Sequence, residues 1–140
     1  MHRLLVPVDG SENALRAVGY AITVATERPN TEIHLLHVQE PMPSHVHAYF
    51  SAADIEKMGV GETEKILQPA RRLCAETGVS CTAHFRIGPI AQTIADSAAE
   101  LQCNVIVMGT RGMSPIANLI IGSVTAKVLH LASVPITVVK

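Results

Sequence analysis

The residues best suited to chemistry lie near the C-terminus, in GTRGMSPIANLIIGS, Gly109 to Ser123. Gly109, Gly112 and Gly122 are separated by two and then nine residues, and Ser123 follows the last. Glycine lets the backbone take positive φ and lets a ligand approach closely. The run joins a strand-like stretch, NVIVM, to a helix-like one, SVTAKVLHLA. A helix N-terminus carries unpaired N–H groups and the positive end of a dipole, so amides starting at Gly122–Ser123 can hold a phosphate. The Ser123 and Thr125 hydroxyls fall within the first turn and can add bonds. Gly109 and Gly112, at the strand end, can form a second backbone nest. Arg111 is the nearest cation in sequence that can reach a phosphate, with Lys127 next. Far from this run, VPVDGS sets Asp9 at the end of another strand-like stretch, where a carboxylate suits a ribose hydroxyl pair. Together these features suggest a nucleotide. Plainer readings stand beside it: the glycines as turns, Gly122 as an N-cap, and Asp9-Gly10-Ser11 as a helix cap. The spacing is neither GxxxxGK[ST] nor GxGxxG after a first strand. Without the P-loop lysine, a tightly organised phosphoryl-transfer site is disfavoured.

The elements that must position these residues follow from periodicity. RLLVPVD reads as a first strand, although Pro7 lacks a donor and conflicts with a central position. DGS makes a turn with a cap at Ser11, and Leu15, Val18, Ile22 and Ala25 share one face of the helix that follows. Pro29 ends it. EIHLLHV, from Glu32 to Val38, reads as a strand buried on both faces. The stretch from Glu40 to Gly61 is the least regular, broken by Pro41, Pro43, Gly59 and Gly61. A helix is predicted from about Glu62 to Thr77, with Ile66, Ala70, Leu73 and Cys74 facing the core. Pro69 is expected to kink it or start a fresh turn, and Gly78 to stop it. VSCTAHFRI alternates strictly, which suits an edge strand. Pro89 opens a helix striped by Ile90, Ile94, Ala98 and Leu101. NVIVM, a helix from Ser123 to about Ala132 and the strand SVPITVV complete the chain. Strand and helix alternate throughout, which implies right-handed crossovers and an α/β, parallel, doubly wound sheet in one domain, residues 1–140. Ligands in such sheets bind beyond the carboxyl ends of the strands.

Composition agrees. The 140 residues are 48% hydrophobic but only 3% aromatic, so the core must be built from Val, Ile, Leu and Ala, as a covered parallel sheet requires. A formal net charge of -1 with no basic run argues against nucleic acid as an obligate partner. No apolar run approaches the ~20 residues of a membrane span, and the N-terminus does not read as a signal peptide, so a cytoplasmic location is expected. Cys74, Cys81 and Cys103 are odd in number and lack CxxC spacing, and read as small core residues. His34 and His37 fall on opposite faces of their strand. His45 and His47 lie two apart in a loop and can share a metal, but no third ligand is identifiable.

With LVPVDGSENALRAV at one end and VIVMGTRGMSPIANLIIGSVTAKVLHLASVPITVV at the other, the whole chain resembles the universal stress proteins. The spacing G-x2-G-x9-G-[ST] of their ATP-binding subset falls on Gly109, Gly112, Gly122 and Ser123. The resemblance implies a three-layer, five-stranded sheet of order 3-2-1-4-5, like that of the adenine nucleotide α-hydrolases. It implies ATP, with Mg²⁺, as ligand. Asp9 would contact the ribose, Val38 the adenine with Pro7 and Val8 beside it, and Met108 and Val124 would flank the nucleotide. It further implies a homodimer through the apolar last strand, 134–139, which would otherwise be an exposed edge. Two function classes follow. One is an ATP-binding regulatory module with slow or no hydrolysis, favoured because no general base stands beside the glycine run. The other is a true ATPase or phosphotransferase. A structural dimer without nucleotide is the third reading. Residues 40–61 are the candidate lid or surface for an unknown protein partner.

Overall fold

A computed structural model describes residues 1–110 and 121–140. The chain forms β1 (His2–Pro7), α1 (Glu12–Glu27), β2 (Thr31–Gln39), α2 (Ser44–His47), α3 (Ala52–Thr77), β3 (Cys81–Ile87), α4 (Ile90–Glu100), β4 (Val105–Gly109), α5 (Ser123–Leu131) and β5 (Ile136–Val139). The five strands are parallel and ordered β3-β2-β1-β4-β5, with helices on both sides. Successive strand residues point to opposite faces, so the apolar strands feed two cores. On one face Leu4, Val6, Val8, Ile33, Leu35 and Val107 pack with α1 and α3, through residues such as Val18 and Leu67. On the other Leu5, Leu36, Val38, Ile106 and Met108 pack with α4 and α5, through Ile94 and Val128.

The register resolves the conflict at Pro7. The N–H groups of His2 and Val8 donate to Asn30 and Leu36 on the β2 side. Even-numbered β1 residues therefore bond toward β2, and the donor that Pro7 lacks is one that would face β4. The β1–β4 pairing ends at Leu5 with Ile106, before Pro7 is reached. A proline is tolerated at the end of a central strand because the ladder has already opened there, and that opening lies at the topological switch between β1 and β4.

One expectation is corrected. The long helix begins at Ala52 rather than near Glu62, and Gly59 and Gly61 lie inside it. Ser51 caps it, its Oγ accepting the Asp54 N–H at 3.1 Å. An interior glycine costs only about 1 kcal/mol relative to alanine, which a cap and packing offset. Pro69 also lies inside α3, with Leu67 and Ala70 buried on either side of it. His45 and His47 fall in the one-turn α2 and are exposed. β3 is the edge strand that its alternation predicts. Its apolar alternation is covered only at the start, leaving Phe85 and Ile87 exposed at its end. No helix among the described residues is long and apolar enough to cross a membrane.

Candidate functional site

The end of β1 is held from two directions. Asp9 is exposed, and its Oδ1 accepts the Ser11 N–H at 2.9 Å. Gly10, at φ 88, makes the left-handed step between them. Ser11 then caps α1, its Oγ accepting the Ala14 N–H at 3.1 Å. From β2, the buried His37 ring donates from Nδ1 to the Val8 carbonyl at 2.9 Å. A carbonyl only accepts, so this contact sets the Nδ1–H tautomer. Pro7 is half-buried, Val8 is buried, and Val38 is buried at the end of β2. Periodicity placed His37 on a face but did not reveal this role, since its partner is set by the pairing of β1 with β2.

The end of β4 is tied to the start of α5. The Thr125 hydroxyl donates to the Gly109 carbonyl at 3.0 Å, and the Gly122 N–H donates to the Thr110 carbonyl. Thr110 in turn donates its N–H to Val139 of β5 at 2.9 Å. Gly122 is the N-cap of α5 and supplies no side-chain bond, whereas Ser11 and Ser51 do so for α1 and α3. Among the described residues the first-turn amides of α5, from Ser123 onward, thus have no N-cap side chain as acceptor. Ser123 is exposed, Val124 packs half-buried against the α4–α5 core, and Thr125 is only 4% exposed.

Gly109 joins the two halves. A Cβ there would stand 2.8 Å from both the Cβ and the carbonyl oxygen of Asn13 in the first turn of α1. The turn that carries Asp9 and the strand that ends in Gly109 therefore meet at Asn13. Met108, beside it, is buried on the α4–α5 face. Arg111 and Gly112 lie outside the described residues. The positions present suit an anionic ligand at the α5 terminus and a hydroxyl-bearing one at Asp9.

A second polar group lies elsewhere, where β2 and β3 face α4. The His34 Nδ1 and His84 Nε2 are 2.9 Å apart, with the rings stacked at 5.2 Å. Glu32 accepts from Arg3 at 3.1 Å and faces His34 Nε2 at 3.4 Å. Partial burial holds the His84 imidazole below its ordinary range, and the charges of His34 and Arg86 push the same way. At Glu32 desolvation acts upward but the bonds from Arg3 and His34 outweigh it, so its carboxyl is held low. Among the described residues no three His, Cys, Asp or Glu side chains gather as a metal site.

Comparison with known proteins gives a consistent result. A model described as the Universal stress protein family matches residues 1–140. Universal stress protein YxiE of Bacillus subtilis is 28% identical, over 99% of each chain. A universal stress protein solved in complex with cAMP superposes with a TM-score of 0.74 at 23% identity, covering 99% of this chain and 97% of that one. One from Archaeoglobus fulgidus in complex with dAMP superposes with a TM-score of 0.74 at 22% identity, covering 100% of this chain and 98% of that one. At such identities the structural likeness speaks for the fold.

Proposed function

We propose, from the premise that this chain belongs to the universal stress protein family, that it is an ATP-binding regulatory module with slow or no hydrolysis. The observation that carries this reading is the uncapped N-terminus of α5, fastened by Thr125 and Gly122 to the end of β4. That is where a doubly wound sheet holds an anionic ligand. The amides of Ser123, Val124 and Thr125 bind phosphate oxygens, and the Ser123 hydroxyl adds a bond. Gly109, Arg111, Gly112 and Gly122 complete the phosphate loop. Asp9 accepts from the ribose hydroxyls with the oxygen that the Ser11 turn leaves free. Pro7, Val8 and Val38 border the adenine, and Met108 and Val124 flank the nucleotide. Mg²⁺ accompanies the triphosphate with few protein ligands. The relatives solved with cAMP and dAMP support an adenine nucleotide as the ligand class.

The regulatory reading rests on the chemistry of the site. Asp9 is the one acid that the expected site holds, and its role is to bind. The β5 edge, where Val138 is exposed, favours a homodimer through residues 134–139. The experiment is calorimetric titration of nucleotide-stripped protein with ATP and Mg²⁺, followed by a turnover assay on the same sample. Saturable binding without repeated turnover is expected, and Gly122→Val, with its fold checked by circular dichroism, is expected to lose it. Unchanged ATP affinity in folded Gly122→Val would sink the assignment. Repeated turnover would move the protein to the ATPase class.

A further inference from the structure

The ladder between β1 and β2 stops one rung short, and a side chain stands where the next rung belongs. On the β3 side of β2, Ile33 donates its N–H to Ser80 and Gln39 accepts from Gly88. On the β1 side, Leu36 accepts the Val8 N–H at 2.8 Å. Odd-numbered β2 residues therefore bond toward β3 and even-numbered ones toward β1. In a parallel ladder, a residue that donates to one carbonyl accepts, through its own carbonyl, from the N–H two residues further along the partner. The Val8 carbonyl is thus due the N–H of Val38. Yet the pairing ends at Pro7 with Leu36. The Val8 carbonyl takes the His37 Nδ1–H at 2.9 Å instead. The buried His37 ring is steadied for this by its register partner on β3, Phe85, stacked on it at 6.2 Å. Among the described residues no other acceptor takes the Val38 N–H. Val38 is buried, and a buried amide without a partner is rare. This one lies at the carboxyl end of β2, beside the central strand, where sheets of this kind receive ligands.

We infer that His37 is a positioning residue for the nucleotide base. By occupying the Val8 carbonyl it keeps the last rung open and leaves the Val38 amide to donate to a ring nitrogen of the base. The inference rests on the nucleotide reading above and adds to it the residue that prepares the base subsite. Purine ring nitrogens accept hydrogen bonds, so an N–H held out of the ladder is the matching partner. His37 itself does not touch the base. With leucine at position 37 the Val8 carbonyl loses its donor, and the Val38 N–H is the ladder donor that can replace it. The rung then closes and the base loses its partner. A histidine that only satisfied a buried carbonyl would lower stability when replaced, but its loss would not change the state of the Val38 amide.

The test is amide hydrogen exchange of the full chain, followed by NMR. Leu36 is the internal reference, because its N–H belongs to the closed part of the same ladder. In nucleotide-free protein the Val38 amide is expected to exchange about tenfold faster than that of Leu36, or more. Saturating ATP is expected to slow it. In His37→Leu the two amides are expected to exchange alike without ATP, and calorimetry is expected to give about tenfold weaker ATP binding. His37→Asn offers a side-chain N–H near the place of Nδ1 and is expected to behave as the parent. A Val38 amide as slow as that of Leu36 in the nucleotide-free parent overturns the inference. So does a His37→Leu protein that keeps the parent affinity, or one whose Val38 amide stays fast. ATP that binds the parent without slowing the Val38 amide overturns it too. A parent that binds no ATP sinks the nucleotide reading and the base role with it. That failure is told apart from the others, because exchange in the nucleotide-free protein reports the open rung without any ligand. If His37→Leu fails to fold, exchange in the parent with and without ATP decides the matter.

Discussion

The Thr125 hydroxyl donates to the Gly109 carbonyl at 3.0 Å, fastening the first turn of α5 to the last residue of β4. Thr125 is 4% exposed, so water does not replace the bond when it is lost. Valine has nearly the same shape and no donor. Thr125→Val is expected to leave the carbonyl unpaired, at a cost of about 1–3 kcal/mol in urea unfolding. It should also weaken ATP binding, because the amides of α5 lose their anchor. Thr125→Ser should recover most of both. A valine variant as stable as the parent would show that the bond does not hold the helix in place.

Gly109 also answers a question that the glycine run raised. The sequence offered a backbone nest for phosphate or a plain turn. The contact with Asn13 adds a packing requirement that neither reading contained, since the obstructing atoms include backbone that cannot swing aside. Gly109→Ala is expected to destabilise the fold by about 1–3 kcal/mol, through overpacking against α1. The urea midpoint should fall whether or not ATP is present.

Asp9 has two duties that substitution can separate. Its Oδ1 holds the Ser11 N–H, and an asparagine oxygen can do the same. Asp9→Asn should therefore keep the parent stability, while Asp9→Ala should lose about 0.5–1.5 kcal/mol. In the proposed complex the ribose hydroxyls donate to a charged acceptor, which is the stronger kind. Asp9→Asn is thus expected to bind ATP about tenfold more weakly at unchanged stability, a loss of about 1.4 kcal/mol. Equal affinity in the calorimeter would remove Asp9 from the ribose.

Local signals in the sequence carried the fold further than they carried the site. The alternation of strand and helix, the Ser11 cap and the Gly78 stop are each written within a few residues, and each is found. The start of α3 was missed because Gly59 and Gly61 were read as breaks, although glycine in a helix is only a modest penalty and Ser51 caps this one. Pro7 shows a different limit. Its conflict with a central strand was visible, but its resolution depends on which side the missing donor faces, and that is a property of register. The same holds for His37 on Val8, for His34 on His84 and for Gly109 on Asn13, whose partners lie far off in sequence. Single residues such as Asp9 and Gly122 could be nominated from their neighbours. The contacts that orient them come from elements that only the folded sheet brings together.

The His34–His84 pair makes stability depend on pH in a definite direction. The folded pKa of His84 lies below its ordinary value of 6.5, so the unfolded chain binds more protons through the window between the two. Stability therefore rises with pH there: the contribution is full above the unfolded value and is lost as pH falls toward the folded one. Glu32 has the same sign in its own lower window, because its folded pKa is also depressed. The urea midpoint is thus expected to drop between about pH 7.5 and about pH 5.5, before the carboxylates titrate. His84→Gln removes the titrating ring and keeps a polar group beside His34. It should flatten that part of the profile while leaving the decline at lower pH. A profile as steep in His84→Gln as in the parent would place the proton uptake at another histidine.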